Sequence, residues 1–298
     1  MKNTDAFSGY HPLVNFLYFG LVIGFSMFFM HPVSLLISCI CSAVYYVRLN
    51  GGKSFGFLFR FAFPAMLFTA LINPLFNHRG GHVLCRFPNG SPLTLESILY
   101  GVSAAVMLVT VFLWFGCYTA VMSSDKFVYM FGRVIPSLSL VLSMTLRFVP
   151  SFKARLEAVK EAQAGLNRGA FEGNLKKRLK STARCFSIMV TWALENSIDT
   201  ADSMKSRGYG LDGRTAFSVY TPAKRDRLAL CWLCLCAVCI VGGAAAGGFY
   251  WRYFPDIRGA LARPLTVGLG GVYLLLCVTP LIINAREERA WKSLRSKT

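Results

Sequence analysis

Charged residues are scarce in this sequence, and acidic ones are the scarcest. Asp, Glu, Lys and Arg make up 15% of the 298 residues, whereas a soluble domain carries about 25%. Hydrophobic residues make up 54% of the chain, and the mean hydropathy is +0.48. This composition excludes an ordinary soluble domain and indicates a protein that spans a membrane.

Charged side chains are almost absent from the long apolar runs. Arg60 and Glu96 are exceptions near the ends of runs, and we expect both at the membrane interface. Ion-driven carriers need a buried titratable group to couple ion and substrate, which disfavours a self-sufficient secondary transporter. The chain also lacks paired carboxylates, a Ser/His/Asp set and an H-E-x-x-H motif. We therefore expect a non-catalytic protein, with a membrane enzyme using the loop 77–94 as the weaker alternative.

Motifs for metal or nucleotide binding are incomplete. Four cysteines at 231–239 lie in one apolar helical run, where they would point around most of the circumference and could not share an ion. His78 and His82 are four residues apart, but the two glycines between them argue against a helix and leave only a loop site open. The segment 51–54, Gly-Gly-Lys-Ser, lacks the first glycine of a phosphate-binding loop. We expect no metal or cofactor to be bound by this chain.

Basic residues, in contrast, are abundant and lie outside the apolar runs. The net charge is +18, and the segment 123–227 holds 18 Lys and Arg residues against 9 Asp and Glu. The tail 285–298 adds five basic and two acidic residues. Basic charge between apolar spans is typical of cytoplasmic loops. Since no nucleic-acid-binding motif accompanies it, nucleic acid is disfavoured as a partner.

The apolar runs predict an all-α polytopic membrane protein with about six transmembrane helices. An even number of spans and a cytoplasmic central block place both termini in the cytoplasm of a cell, by expectation bacterial. We divide the chain into an N-terminal transmembrane region (1–122), a cytoplasmic or interfacial region (123–227) and a C-terminal transmembrane hairpin with a basic tail (228–298). The predicted spans are 13–30, 33–47, 55–76, 95–122, 228–250 and 265–284.

The central block carries two amphipathic helical patterns. The first helix should end at Gly169 and the second, of roughly 50 Å if unbroken, at Gly208. The preceding segment 127–150 is apolar but contains two arginines and two prolines. We expect a re-entrant or interfacial helix pair there, with another span as the alternative. The apolar face of the first helix comprises Phe152, Leu156, Val159, Ala162 and Leu166.

Both amphipathic helices end in an arginine between small or short residues. The first ends in Asn167-Arg168-Gly169 and the second in Ser206-Arg207-Gly208. Glycine commonly terminates helices, and a cation near a helix C-terminus is favourable, so either tripeptide alone needs no function. Two copies favour another interpretation: short neighbours let the helix end enter a partner's groove, where arginine pairs bidentately with a carboxylate.

The chain resembles the transmembrane T components of energy-coupling factor (ECF) transporters, the EcfT/CbiQ family. The resemblance rests on KEAQAGLNRG (160–169) and ENSIDTADSMKSRGYG (195–210), supported by INPLFNHRG (72–80) and the segment 123–150. It implies that the two helix ends dock on two ABC-type ATPase subunits, identical, different or fused in one tandem chain. These partners bind the ATP. Alanine usually precedes the first arginine in the family, and Asn167 is a departure from that pattern.

The mechanism implied by the resemblance is lever-like. Closure of the ATPases on ATP shifts the docked helix ends, and a separate membrane-embedded S component then releases a vitamin or transition metal inward. Arg168 and Arg207 become the anchors. Glu195, Asp199 and Asp202 either brace the second arginine or form an exposed acidic face. A permease of another ABC-type importer is the alternative, and the transported substrate stays open.

Overall fold

The structure is a computed structural model, and it is almost entirely helical. It describes residues 5–52, 56, 58–78, 80–86, 92–132, 136–166, 175–211, 220, 222–259 and 263–295. The predicted all-α polytopic fold is confirmed. The described part of the chain forms two compact units, one made of residues 1–123 with 220–298 and the other of residues 124–219. The N-terminal apolar region and the C-terminal pair of apolar helices, treated above as separate segments, thus belong to one unit.

The described residues of the first unit form six apolar helices, each of which overlaps one of the predicted spans. Four are long and apolar enough to cross a membrane, and two apolar helices are shorter. The longer ones are α2 (Pro32–Asn50), α4 (Leu95–Val121), α8 (Lys224–Ala245) and α9 (Pro264–Arg295). The shorter ones are α1 (Pro12–Phe28) and α3 (Phe63–Phe76), the latter preceded by a π-helical turn, Leu58–Ala62.

Aromatic side chains fill the centre of this unit. Trp114 of α4 is fully buried and donates its indole N–H to the Ser38 hydroxyl of α2 at 2.9 Å. The rings of Tyr18 and Phe19 of α1 meet that of Trp114 edge-on, at centroid distances of 6.1 and 6.4 Å. Because a Cβ at Gly116 would lie 2.5 Å from the ring of Tyr46, glycine allows α2 and α4 to approach closely there. These contacts hold α1, α2 and α4 together.

One end of the first unit is closed by the connections between its helices. Tyr253 lies between α8 and α9, donates its hydroxyl to the Met30 carbonyl at 3.0 Å and is hydrogen-bonded to the Ser103 hydroxyl at 2.7 Å. Two short hairpins lie here, β1 (Val83–Arg86) with β2 (Pro92–Thr94), and β3 (Trp251–Arg252) with β4 (Arg258–Gly259). The Gly81 amide donates to the Pro255 carbonyl at 3.2 Å, which joins the two loop regions.

The opposite end of this unit is closed by the N-terminal segment. A 3₁₀ turn, Ala6–Gly9, is capped by Asp5, whose carboxylate accepts from the Tyr45 hydroxyl at 3.0 Å and from the Asn284 amide. Further along, α9 continues through the predicted tail to Arg295, and its Glu288 pairs with Arg48 at 2.5 Å. The tail is therefore a helical extension of the last apolar helix.

In the second unit, the described residues form three helices. They are α5 (Ser124–Gly132), α6 (Pro136–Gly165) and α7 (Leu175–Ser206). The expected separation between a re-entrant pair and the first amphipathic helix is wrong, because α6 continues through Pro150 for 30 residues. The described residues place the end of α5 at Gly132 and the start of α6 at Pro136. Pro150 lacks one N–H donor, but the flanking helical turns are maintained.

Candidate functional site

The second predicted helix end, Ser206-Arg207-Gly208, is a complete Schellman cap. The Tyr209 amide donates to the Met204 carbonyl and the Gly208 amide to the Lys205 carbonyl, both at 3.0 Å. These are the two bonds that define this motif. Gly208 has a φ of +77°, a left-handed conformation that side chains with a Cβ rarely adopt. The cap therefore ends α7 at a fixed residue and turns the chain away sharply.

Arg207 stands at the cap itself and is exposed. It follows the last helical residue, Ser206, and the helix dipole favours a cation at such a C-terminal position. Tyr209 and Leu211 follow it, with exposed fractions of 46% and 71%. An arginine flanked by exposed apolar side chains on a rigid turn combines the features of an interface anchor.

The first predicted helix end, Asn167-Arg168-Gly169, lies outside the described residues. Its helix, α6, is described to Gly165. Of the predicted apolar face, Phe152, Leu156 and Val159 are half-buried, whereas Ala162 and Leu166 are exposed. Gln163 of the same helix is half-buried as well. Leu166 lies beyond the last helical residue, Gly165, and the grouping of all five residues on one face stays a prediction.

The two long helices of this unit pack through aromatic side chains. The ring of Phe152 on α6 meets that of Trp192 on α7 edge-on at 5.3 Å, and the Arg155 guanidinium lies 5.1 Å from the Trp192 ring centroid. Cys185 and Met189 are buried on the same side of α7. Since a cation over an indole is attracted by the ring's negative face, this cluster adds to the apolar packing. The two helices form one packed pair.

The three predicted bracing carboxylates lie on one side of α7. Glu195, Asp199 and Asp202 are all exposed. Among the described residues, none of them has a basic nitrogen within 4.0 Å. The structure thus shows them as exposed acids on the described surface, and their role as braces stays a prediction.

A buried carboxylate, Glu96, lies in the first turn of α4. Its exposed fraction is 0%, although His82 beside it is exposed, and its expected place at the membrane interface stays a prediction. The Glu96 carboxylate accepts from the His82 amide at 3.2 Å and contacts the His82 Nδ1 at 2.8 Å. Gly80 allows this approach, since a Cβ there would collide with the carboxylate. The pair fixes the first hairpin on the start of α4.

The side chains that could ligate a metal lie apart from one another in the described residues. No group of three or more His, Cys, Asp and Glu side chains among them could hold an ion. His82 is engaged by Glu96 instead, and Cys231, Cys234 and Cys239 are exposed on α8 while Cys236 is buried. Cysteines spread around a helix in this way cannot converge on one ion.

Comparison with known proteins matches most of this chain to one family. A family model described as "Cobalt transport protein" (CbiQ) matches residues 8–217, which include both predicted helix ends. A relative from Lactobacillus helveticus, "Energy-coupling factor transporter transmembrane protein EcfT", is 33% identical over 102 residues, 34% of this chain and 37% of the relative.

Two further relatives carry the same description. The one from Lactococcus lactis is 30% identical over 108 residues, 36% of this chain and 41% of the relative. The one from Staphylococcus aureus is 25% identical over 176 residues, 55% of this chain and 65% of the relative. The chain thus spans between about two fifths and two thirds of the length of these curated relatives.

Proposed function

We propose that this chain, which belongs to the CbiQ family of cobalt transport proteins and is similar to EcfT proteins, is the transmembrane coupling subunit of an ATP-driven ECF-type importer. The observation that carries the proposal is the end of α7. There an exposed arginine and two exposed apolar side chains stand on a Schellman cap. The resemblance noted from the sequence places an ATPase-docking residue at this position.

Arg207 is suited to anchor a partner subunit. Its guanidinium can pair bidentately with a carboxylate or a backbone carbonyl pair in the partner's groove. Tyr209 and Leu211 would surround that pair with apolar surface and exclude water from it. Asn167-Arg168-Gly169 is proposed to supply the equivalent anchor for the second ATPase subunit.

The packed pair of α6 and α7 supports a lever. The α7 helix is unbroken for 32 residues, a length of about 48 Å at 1.5 Å per residue. Because α7 packs on α6 through Trp192, Phe152 and Arg155, a displacement of its capped end moves both helices rather than bending one. In the proposed cycle, closure of the ATPases on ATP displaces the two anchors. The membrane-spanning unit then acts on a separate S component.

The arrangement in the cell follows from the same proposal. The unit 124–219 and both termini lie in the cytoplasm of a bacterial cell, and α1–α4, α8 and α9 lie in the membrane. The subunit itself is non-catalytic, and ATP is bound and hydrolysed by its partners. The S component selects the substrate, a vitamin or a transition metal. A permease of another type of ABC importer is less favoured, since it would dock through a single short helix.

The experiment that tests this function identifies what the chain binds in its native host. The tagged chain is purified gently in detergent, and co-purifying proteins are identified by mass spectrometry. We expect one or two ABC-type ATPases and at least one small membrane protein. Recovery of the chain alone at every salt concentration would contradict the proposal. A screen of the isolated chain for enzymatic activity would then follow.

A further inference from the structure

The first half of α7 carries a charge pattern that the docking of its far end does not explain. Residues 175–184 contain five basic and no acidic residues, whereas residues 185–206 contain three acidic and one basic residue. The first turn of the helix also contains no acidic residue. Cations near a helix N-terminus are disfavoured by the helix dipole. Helical stability alone therefore does not account for this concentration of positive charge.

The exposed side chains of this half form two parallel rows. The basic row consists of Lys176, Lys180 and Arg184, each four residues from the next, and all three are exposed. The apolar row consists of Leu175, Leu179 and Phe186, with exposed fractions of 72%, 71% and 70%. At 100° per residue the rows lie roughly a third of a turn apart.

The packed side of the helix faces elsewhere. Cys185 and Met189 are 3% and 8% exposed, and they lie on the side that carries the Trp192 contact with α6. The basic row is on the opposite side, and the apolar row lies between. Among the described residues, three large and exposed apolar side chains thus lie directly beside three exposed cations.

We infer that this half of α7 binds the anionic headgroups of a lipid bilayer. An apolar row beside a basic row is the pattern of a helix lying in a membrane interface, with apolar side chains among the acyl chains and cations at the phosphates. Charge complementarity favours this occupant over a protein groove, since nothing in 175–184 offers an acidic counterpart. The inference is independent of ATPase docking, which uses the other end of the helix.

The test compares the full-length chain in two kinds of nanodisc, without any ATPase. One contains phosphatidylcholine alone, and the other contains phosphatidylcholine with phosphatidylglycerol. Amide hydrogen exchange is measured by mass spectrometry over residues 175–190. We expect exchange there to be at least about fivefold slower in the anionic discs, the effect of a single cation at such a surface, and the slowing to decrease at high salt.

Two variants distinguish the effect of the basic row on hydrogen exchange from the effect of the total charge of the chain. The variant Lys176→Gln/Lys180→Gln/Arg184→Gln should lose the slowing, while the exchange of 192–206 reports that the helix is still folded. Gln is nearly as good a helix former as Lys and Arg. The control Arg289→Gln/Lys292→Gln/Arg295→Gln removes the same charge from the extension of α9 and should keep the slowing.

Three results would overturn the inference. Equal exchange in both discs would show that anionic lipid is not bound. Slowing that persists in the α7 variant would show that the basic row is not responsible. Slowing that appears in phosphatidylcholine discs only after the ATPases or an S component are added would show that the two rows form a protein interface. None of these results bears on Arg207 as the ATPase anchor.

Discussion

Replacing Gly208 by Ala tests whether the Schellman cap presents Arg207 to its partner. Gly208 has a φ of +77°, and a Cβ there would lie 3.1 Å from the Leu211 Cδ1. The left-handed conformation costs an L-residue about 1–2 kcal/mol. That cost changes the ratio of capped to frayed helix ends by about 5- to 30-fold. The helix itself should persist, because the change lies beyond its last helical residue, Ser206.

The assay has two readouts. Hydrogen exchange of the Gly208 and Tyr209 amides, which close the cap, should accelerate by up to that factor in Gly208→Ala. The affinity for the ATPases should fall by no more than the same factor, since only the capped fraction binds. Gly208→Asn is the matched control, because Asn tolerates the left-handed conformation better than Ala. Unchanged exchange and unchanged affinity in Gly208→Ala would refute the reasoning.

Three further predictions concern the stability of the first unit, measured as thermal unfolding in detergent. Glu96→Ala should destabilise by about 1–3 kcal/mol by removing a buried carboxylate that accepts from the His82 amide. His82→Ala keeps that amide bond and removes only the exposed ring, so it should destabilise less; equal effects would contradict this reasoning. Asn284→Ala should lower the free energy of unfolding by a similar amount, because it leaves the Ala6 amide without the Asn284 oxygen that it now contacts at 2.7 Å. The control Asn50→Ala, at the half-buried end of α2, should have little effect. Gly116→Val should lower the free energy of unfolding by more than about 1 kcal/mol, because the new side chain would collide with Tyr46. Gly268→Ala should be neutral or stabilising, since a Cβ at Gly268 would meet no atom within 4 Å.

The helices were accessible from the sequence because local patterns determine them. The apolar runs gave the six helices of the first unit, and Ser206-Arg207-Gly208 predicted the end of α7 at the residue where the cap stands. Glycine after a run of helical periodicity is a local signal, so no tertiary information was needed. The family match over residues 8–217 agrees with the resemblance drawn from those motifs.

Long-range pairings were not accessible, since they depend on which loops meet. No sequence pattern near Glu96 predicts that His82 would contact its carboxylate. The two residues meet because the chain turns at Gly80. The Asn284 side chain bonds the Ala6 amide across 278 residues. Pro150 suggested a boundary that the helix does not have, because one missing N–H does not outweigh the turns on both sides.

The central claim is that the arginine-tipped helix ends carry assembly with the ATPases. The most direct measurement is co-purification of the ATPases with Arg168→Glu/Arg207→Glu, compared with the wild type and with Lys205→Glu, an exposed charge reversal two residues from the cap. Each single arginine change should weaken ATPase binding by about thirtyfold or more. The double variant should lose ATPase binding but still insert in the membrane. The control Lys205→Glu should bind the ATPases nearly as well as the wild type. Full ATPase recovery with the double variant would contradict the account.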